Sequence, residues 1–149
     1  MPEYILDACA LLALFDDEVG ADIVEELLQR ARNNEITITM NAANLIEVYY
    51  DRIREIGTEQ ADAIIREIYD NFPISIIETL NPSIVREAAR LKALGKMSFA
   101  DTILVATAHY NGAAIVTCDH VELEPVEKQG IVPFLWIIPT PVRFPAVAL

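Results

Sequence analysis

The sequence predicts a three-layer α/β/α fold, in which helices cover both faces of a five-stranded parallel sheet. Short apolar runs alternate along the chain with longer amphipathic stretches, and turn residues separate the two kinds of segment. The short runs are apolar at almost every position, as in strands that are covered on both faces. Alternating strands and helices are typical of parallel sheets, and 149 residues suit one domain, so we expect a single domain over 1–149.

The first predicted elements are a strand and two helices. The strand over 4–6 is a short β-prone run, and the Ala- and Leu-rich segment that follows it favours a helix over 8–15. Acidic residues and Gly20 interrupt the chain before a second helix over 22–32. Apolar side chains recur on one face of that segment, which indicates an amphipathic helix.

The next elements are a strand and two further helices. The strand over 36–40 is rich in β-branched residues and follows an Asn-Asn turn. A helix over 42–56 ends before Gly57, as helices often end before glycine. We expect Thr58 to cap the helix that follows over 59–71.

The second half of the chain begins with a strand over 73–77 and two helices. Asn81 is expected to cap a helix over 82–94, because asparagine is a favoured cap and proline occupies the first helical position. Ser98 begins the next helix, whose apolar run predicts burial and which stops at the Asn-Gly pair 111–112.

The last predicted elements are two strands and an arm. The strands cover 113–117 and 134–137, and both are apolar runs. The segment 139–149 contains three prolines among apolar residues. Because proline interrupts helices and sheets, we expect this segment to be an extended C-terminal arm that packs on this or another subunit.

The composition is strongly acidic, with 23 Asp and Glu against 11 Lys and Arg and a net charge of −12. This charge repels polyanions and excludes proteins that coat nucleic acid by charge alone, but it leaves open binding at one local site with bridging metal ions.

The apolar runs are far shorter than the ~20 residues of a membrane helix, and the start of the chain lacks a signal-peptide pattern. With only two cysteines and no zinc spacing, we expect a cytoplasmic protein without membrane contact.

Four acidic residues lie just after predicted strands or early in the helices that follow them. Asp7 follows the first strand, and Glu47 lies two helical turns beyond the second. Asp101 is in the first turn of the helix that begins at Ser98, and Asp119 follows the fourth strand. Ligands of open α/β sheets bind beyond the carboxyl ends of the strands, so we expect these acids to converge there. Hard divalent cations, held by carboxylate oxygens, would neutralise them.

Each of these acids also has a structural interpretation. Asp7 could cap the helix that follows it, Asp101 could complete a capping box with Ser98, and Asp119 could be an ordinary turn residue. Glu47 is harder to explain, because it stands in an otherwise apolar stretch. A structural role is plausible for any one of these acids. It is much less plausible that all four have only structural roles and meet at one edge of the sheet by coincidence.

The residues around the acids resemble the sequence motifs of PIN-domain ribonucleases. The segments similar to the family's first to fourth motifs are Asp-Ala-Cys-Ala-Leu-Leu-Ala (7–13), Asn-Leu-Ile-Glu-Val (44–48), Ser-Phe-Ala-Asp (98–101) and Thr-Cys-Asp-His (117–120). They occur in the family's order and span most of the chain. Small single-domain members of this family are typically VapC-type toxins of toxin–antitoxin pairs.

The resemblance implies a PIN-like fold and a metal-dependent endoribonuclease, the toxin of a type II toxin–antitoxin system. In this family the acids are catalytic and hold one or two Mg²⁺ or Mn²⁺ ions. The corresponding residues here are Asp7, Glu47, Asp101 and Asp119. The resemblance also implies an RNA substrate, a homodimer, and a small antitoxin that occupies the active-site groove.

Other polar residues are expected to support the acids. Thr117, Ser98 and Asn44 are candidates to position the carboxylates by hydrogen bonds. The sequence departs from the family at Cys9, where a small hydroxyl or amide residue is usual, and at Cys118, which replaces a small residue. A thiol is a weaker hydrogen-bond partner, so the surroundings of the first acid are expected to differ from those in relatives.

Positive charge near the predicted site is scarce. Arg90, Lys92 and Lys96 lie on or just after the helix that leads toward the third acid, where they could guide an RNA backbone or form a solvated helix face. His120 could donate a proton, although a histidine in a solvent-exposed loop is the simpler interpretation.

A catalytically silent PIN-like module for binding or regulation is the main alternative to an enzyme. Loss of the first or third acid would indicate such a module, and the sequence retains both Asp7 and Asp101.

Overall fold

The computed structural model describes residues 1–140, which form a five-stranded sheet and seven helices. The strands are β1 (Glu3–Leu6), β2 (Thr37–Asn41), β3 (Ser75–Ile77), β4 (Ala114–Thr117) and β5 (Phe134–Trp136). The helices are α1 (Ala8–Phe15), α2 (Ala21–Arg32), α3 (Ala42–Ile56), α4 (Thr58–Asn71), α5 (Pro82–Leu94), α6 (Phe99–Asn111) and α7 (His120–Gln129).

All strand pairs in the sheet are parallel, and the strand order is β3-β2-β1-β4-β5. The chain builds one half of the sheet outward from β1 through β2 to β3, and the other half through β4 to β5. The carboxyl ends of β1, β2 and β4 therefore lie side by side at the middle of one edge, where ligands bind in such sheets.

Helices cover both faces of the sheet. Neighbouring residues of β1 point to opposite faces: Leu6 packs in a core that includes side chains of α1 to α4, and Ile5 packs in a second core with side chains of α5 to α7. The side chains of Leu6 and Ile5 are both fully buried. This arrangement confirms the predicted α/β/α fold with a five-stranded parallel sheet.

Most element boundaries agree with the sequence-based predictions. The first helix has the predicted bounds, and the Asn81 side chain caps α5 by accepting a hydrogen bond from the Ile84 backbone N–H at 2.9 Å. The predicted cap at Thr58 is wrong, because Thr58 is already helical and Gly57 is the cap residue. Gly57 has φ +86° and links α3 to α4 as a single residue, a backbone conformation that favours glycine.

Helix α7 is a helix that the sequence analysis did not predict. It contains Pro125, which cannot donate a backbone hydrogen bond and which marks a break in most helices. Leu123 and Val126 nevertheless pack into the core on the α5–α7 side of the sheet, and this burial holds the segment in place.

Two further expectations concern the ends of the chain and membranes. The predicted arm over 139–149 lies outside the described residues from position 141 onward. None of the helices within residues 1–140 combines the length and the apolar character that crossing a membrane requires.

Candidate active site

An acidic cavity of about 300 Å³ opens at the carboxyl edge of the sheet. The acids predicted from the sequence all line it, and two further acids join them. The acidic residues that line the cavity are Asp7, Glu47, Asp51, Asp101, Asp119 and Glu122. The acids come from segments far apart in the chain, which the parallel strands bring to one place.

Asp7 lies at the end of β1 and is almost completely buried, with 4% of its surface exposed. The register of β1 on β4 pairs Leu6 with Val116, so the next residue of β4, Thr117, lies beside Asp7. The Thr117 hydroxyl donates a hydrogen bond of 2.8 Å to Asp7 Oδ2, and the Ala8 backbone N–H donates one of 2.7 Å to Oδ1. Asp7 therefore caps α1 as well as facing the cavity. Burial raises the pKa of this carboxyl, although the two hydrogen bonds oppose the shift.

Asp101 lies in the first turn of α6, and its position depends on the start of that helix. Ser98 caps α6 by accepting a hydrogen bond from the Asp101 backbone N–H at 3.2 Å. The side chain of Asp101 is buried, and burial together with its hydrogen bond to Glu122 raises its pKa to about 9.

Asp119 and Glu122 begin α7 and belong to one hydrogen-bonded unit. The Glu122 backbone N–H donates to Asp119 Oδ1 at 3.1 Å, so Asp119 caps the helix. The Ser98 backbone N–H donates to Glu122 Oε1 at 2.8 Å, which connects α7 to the start of α6. The hydrogen bond from Asp101 lowers the pKa of Glu122.

Glu122 was missed by the sequence analysis, because the segment that contains it was not predicted to be helical. One carboxylate oxygen each of Asp101, Asp119 and Glu122 lies within 4.8 Å of the other two. The pattern Asp-x-x-Glu over 119–122, which is a capping box, could have revealed both the helix and the additional acid.

Glu47 is on α3 and lines the same cavity, but it is not part of this three-acid cluster. It is half-buried, and its pKa is raised first by burial and then by the charges of Asp7, Glu122 and Asp119. One helical turn earlier, Asn44 is fully buried, and within residues 1–140 neither atom of its side-chain amide has a hydrogen-bond partner. The structure thus places Asn44 beside Glu47 along α3 without a hydrogen bond to any of the acids.

The acidic cavity suits a divalent cation. Neither lysine nor arginine is among the described residues that line it, and of the lining acids Asp51 alone pairs with a guanidinium within residues 1–140, that of Arg52 at 2.6 Å. The three clustered acids all offer hard oxygen donors, which Mg²⁺ and Mn²⁺ prefer, and these oxygens lie within 4.8 Å of one another.

The two cysteines lie against the first acid. Cys9 Sγ is 3.7 Å from Asp7 Oδ2, and the Cys118 backbone N–H donates to Cys9 Sγ at 3.1 Å. Cys9 thus bridges the start of α1 and the loop after β4, with a longer bond to the carboxylate than a hydroxyl would make.

The predicted basic residues occupy different surfaces. Arg90 and Lys96 line a second cavity beside the acidic one, whereas Lys92 Nζ donates to the Met97 carbonyl at 2.8 Å. Lys92 lines a third cavity, which lies between α5 and α6.

The expectation that His120 lies in a solvent-exposed loop is wrong. His120 is the first residue of α7, is 4% exposed, and stacks on the Trp136 ring with 4.1 Å between the ring centres. Its Nε2 lies 3.0 Å from the Ile138 carbonyl, and its Nδ1 lies 3.1 Å from a Glu124 carboxylate oxygen. It is not among the residues that line the acidic cavity.

Comparison with known proteins agrees with this arrangement. The model of the PIN domain family matches residues 4–126. The chain belongs to the PIN domain family. PIN domains are generally metal-dependent nucleases, and this PIN domain has a cluster of acids that could hold a metal ion. No curated protein matches it in sequence.

Solved structures share the fold of this PIN domain at low sequence identity. It is similar to VapBC2 from Rickettsia felis bound to a promoter DNA fragment, with a TM-score of 0.68 and 16% identity over 89% of this chain and 97% of the other. For DNA-bound VapBC from Salmonella typhimurium the TM-score is 0.67, with 14% identity over 93% and 100% of the two chains. For VapBC-1 from nontypeable Haemophilus influenzae the TM-score is 0.66, with 15% identity over 91% and 98%.

Proposed function

We propose that this PIN domain is a metal-dependent endoribonuclease that hydrolyses phosphodiester bonds of RNA. The observation that carries the proposal is the acidic cavity itself, in which acids from four separate segments converge and no basic residue of the described part of the chain, 1–140, joins them. A structural role as helix caps explains why Asp7 and Asp119 are acidic, but it does not explain the half-buried Glu47 or the burial of the Asp101 carboxyl, which raises its pKa.

The four acids predicted from the sequence, together with Glu122, would hold one or two Mg²⁺ or Mn²⁺ ions. Such an ion, when bound, polarises a phosphate oxygen and lowers the pKa of a bound water molecule. Thr117 and the start of α1 hold the Asp7 carboxylate, and Ser98 positions Asp101 at the start of α6. Glu47 is half-buried on α3, where its carboxylate would help to position the attacking water at the bound ion.

We also propose that this nuclease is the toxin of a type II toxin–antitoxin pair, that it forms a homodimer and that it acts in the cytoplasm. Its structural neighbours include VapBC complexes, which supports a partner of the antitoxin kind. Val85 and Phe99 expose 51% and 71% of their surfaces beside the cavity between α5 and α6, as expected for a face that another protein covers. Light scattering of the purified chain, alone and coexpressed with its genomic neighbour, tests both assemblies.

Cleavage of a labelled RNA pool tests the nuclease proposal. The wild-type protein should cut with Mg²⁺ or Mn²⁺ and stop cutting in EDTA. The variant Asp101→Asn should lose at least about 100-fold in rate, more than the loss of a supporting hydrogen bond would cost. Asp70→Asn, a change of the same kind at an exposed site on α4, should cut like the wild type.

The outcomes separate the nuclease from the silent module. Equal cutting by wild type and Asp101→Asn would mean a contaminating nuclease and would contradict the proposal. If the wild-type protein binds Mn²⁺ in calorimetry but cuts no RNA with either metal, the chain is better described as a binding or regulatory PIN module.

A further inference from the structure

A second cavity of about 470 Å³ adjoins the acidic one. It lies between the end of α5, the loop that follows, and α7. Glu122 lines both cavities, so the second cavity is continuous with the acidic site. The lining residues used below are Arg90, Leu91, Leu94, Lys96, Val121 and Val126.

The inside of this second cavity is apolar and its rim is accessible. Leu91 and Val126 are buried at its base, whereas Leu94 and Val121 expose 76% and 85% of their surfaces. Exposed apolar side chains around a concave surface are typical of a binding site. The volume falls within the ~300–1,000 Å³ that small-ligand sites occupy.

The two cations that line the second cavity outnumber its one acid, Glu122, although the protein as a whole is acidic. The chain carries a net charge of −12, yet Arg90 and Lys96 both line this cavity. The Arg90 side chain is 57% exposed, and its contact with Glu87 is long, at 3.8 Å. Two accessible cations beside an apolar surface fit a ligand that combines negative charge with an apolar group, as a nucleotide does.

We propose that the second cavity binds one unpaired nucleotide of the RNA, next to the bond that is cleaved. The base enters the apolar cavity, and the adjacent phosphates contact Arg90 and Lys96. Unpaired bases leave their faces free for such contacts, whereas bases in a duplex do not. The proposal rests on the nuclease function proposed above, because Glu122 connects the two cavities.

The cavity between α5 and α6 does not fit this role. It shares no lining residue with the acidic cavity, so a nucleotide bound there would not be continuous with the cleavage site. Its apolar rim is better explained by a protein partner, as proposed above.

A substitution that fills the second cavity tests the proposal. Val121→Trp places a large side chain at its rim, and Val85→Trp makes the same change at an exposed site on the other cavity. Binding of fluorescein-labelled single-stranded U10, A10 and C10 RNA is measured by anisotropy, with Ca²⁺ in place of Mg²⁺ to suppress hydrolysis. Circular dichroism shows whether each variant is folded.

We expect the wild-type protein to prefer one of the three RNAs, because a base-binding cavity distinguishes bases by size and shape. Val121→Trp should weaken binding of that RNA about tenfold and reduce the preference, in keeping with the loss of one base contact. Val85→Trp should change the affinity for that RNA by less than about twofold. Arg90→Gln should weaken all three RNAs alike, and Arg66→Gln on α4 should weaken none.

Several outcomes would overturn the proposal. Equal RNA binding by Val121→Trp and wild type would do so, as would failure of the wild type to bind any of the three RNAs. If Val121→Trp leaves RNA binding intact but releases a coexpressed antitoxin, the second cavity is a protein-docking site instead. If the variant changes RNA binding while the wild type cuts nothing with Mg²⁺ or Mn²⁺, the base-binding cavity stands and the nuclease function fails.

Discussion

At the scale of single residues, the main feature of this PIN domain is a set of carboxyl groups held close together with little solvent. Burial raises the pKa of Asp7, Glu47 and Asp101, and the last of these reaches about 9. Hydrogen bonds from the Ala8 backbone N–H and from the side chains of Thr117 and Cys9 oppose the shift of Asp7, and Ser98 opposes that of Asp101, whereas no cation lines the cavity within residues 1–140. The site is therefore built at a cost in stability that a bound cation would offset.

The pKa of Asp101 predicts how stability depends on pH in the metal-free protein. Its folded-state pKa of about 9 lies above the unfolded value of ~3.9, so the folded state binds more protons between these values. The contribution of protonated Asp101 to the free energy of unfolding is fully present below pH ~3.9 and is lost as the pH rises through about 9. In EDTA, the melting temperature should therefore fall as the pH is raised from 6 toward 9, roughly the upper part of this window.

Two controls assign this effect to the site. Asp101→Asn removes the titrating group, so its melting temperature in EDTA should be higher than that of the wild type at pH 8 and should depend less on pH. Saturating Mn²⁺ should flatten the wild-type profile, because the ion replaces the proton as the neutralising charge. A variant profile that is as steep as that of the wild type would show that other groups cause the dependence.

At the scale of elements, helix α7 organises the site more than any other segment does. Its cap residue is Asp119 and its first turn contains Glu122, which also accepts a hydrogen bond from the Ser98 backbone N–H before α6. His120 anchors this first turn through its stacking on Trp136 of β5 and its contact with the Ile138 carbonyl. The position of two acids thus depends on a histidine that does not line the cavity.

Substitution of His120 tests this anchoring role. His120→Ala removes a buried ring, so we expect a loss of about 2–4 kcal/mol in the free energy of unfolding, measured by urea denaturation. His109 is the other histidine and is exposed, and His109→Ala should cost less than about 1 kcal/mol. The cutting rate of His120→Ala below its melting temperature should remain within about tenfold of wild type. Unchanged stability with a rate loss above about 100-fold would instead identify His120 as a proton donor.

The same helix marks the limit of what the sequence could predict. The strands and most helices follow from apolar patterns and turn residues, and the parallel order of β1, β2 and β4 then brings the four predicted acids to one edge. Helix α7 was missed because Pro125 lies inside it and its buried face is short, so packing rather than local preference determines it. Glu122 and the burial of His120 were missed for the same reason. The neighbouring cavity could not be predicted either, because its two walls meet only after folding.

At the scale of the whole molecule, the proposed nuclease function requires RNA to approach a surface that repels it. The net charge of −12 opposes the approach of a polyanion, and among residues 1–140 Arg90 and Lys96 are the cations that line the cavity beside the site. If the chain is the proposed nuclease, its affinity for RNA has to come from metal ions in the acidic cavity and from local contacts, rather than from a broad basic surface. This balance distinguishes the protein from nucleic-acid-binding proteins that use many Lys and Arg contacts.

The dependence of RNA binding on salt tests this balance. Release of counterions by the two cations at the second cavity gives a slope of about −1.4 in log K against log salt, taking about −0.7 per contact on single strands. Screening of the overall repulsion acts in the opposite direction, so the observed slope should be shallower still. Between 50 and 200 mM KCl, the affinity for single-stranded RNA should fall less than about tenfold, whereas proteins with 6–10 phosphate contacts lose roughly 10³–10⁵. Anisotropy titrations in Ca²⁺ measure this slope, and Arg90→Gln should make it shallower by about 0.7. A thousandfold loss over this range would mean that RNA lies across a much larger basic surface than residues 1–140 present.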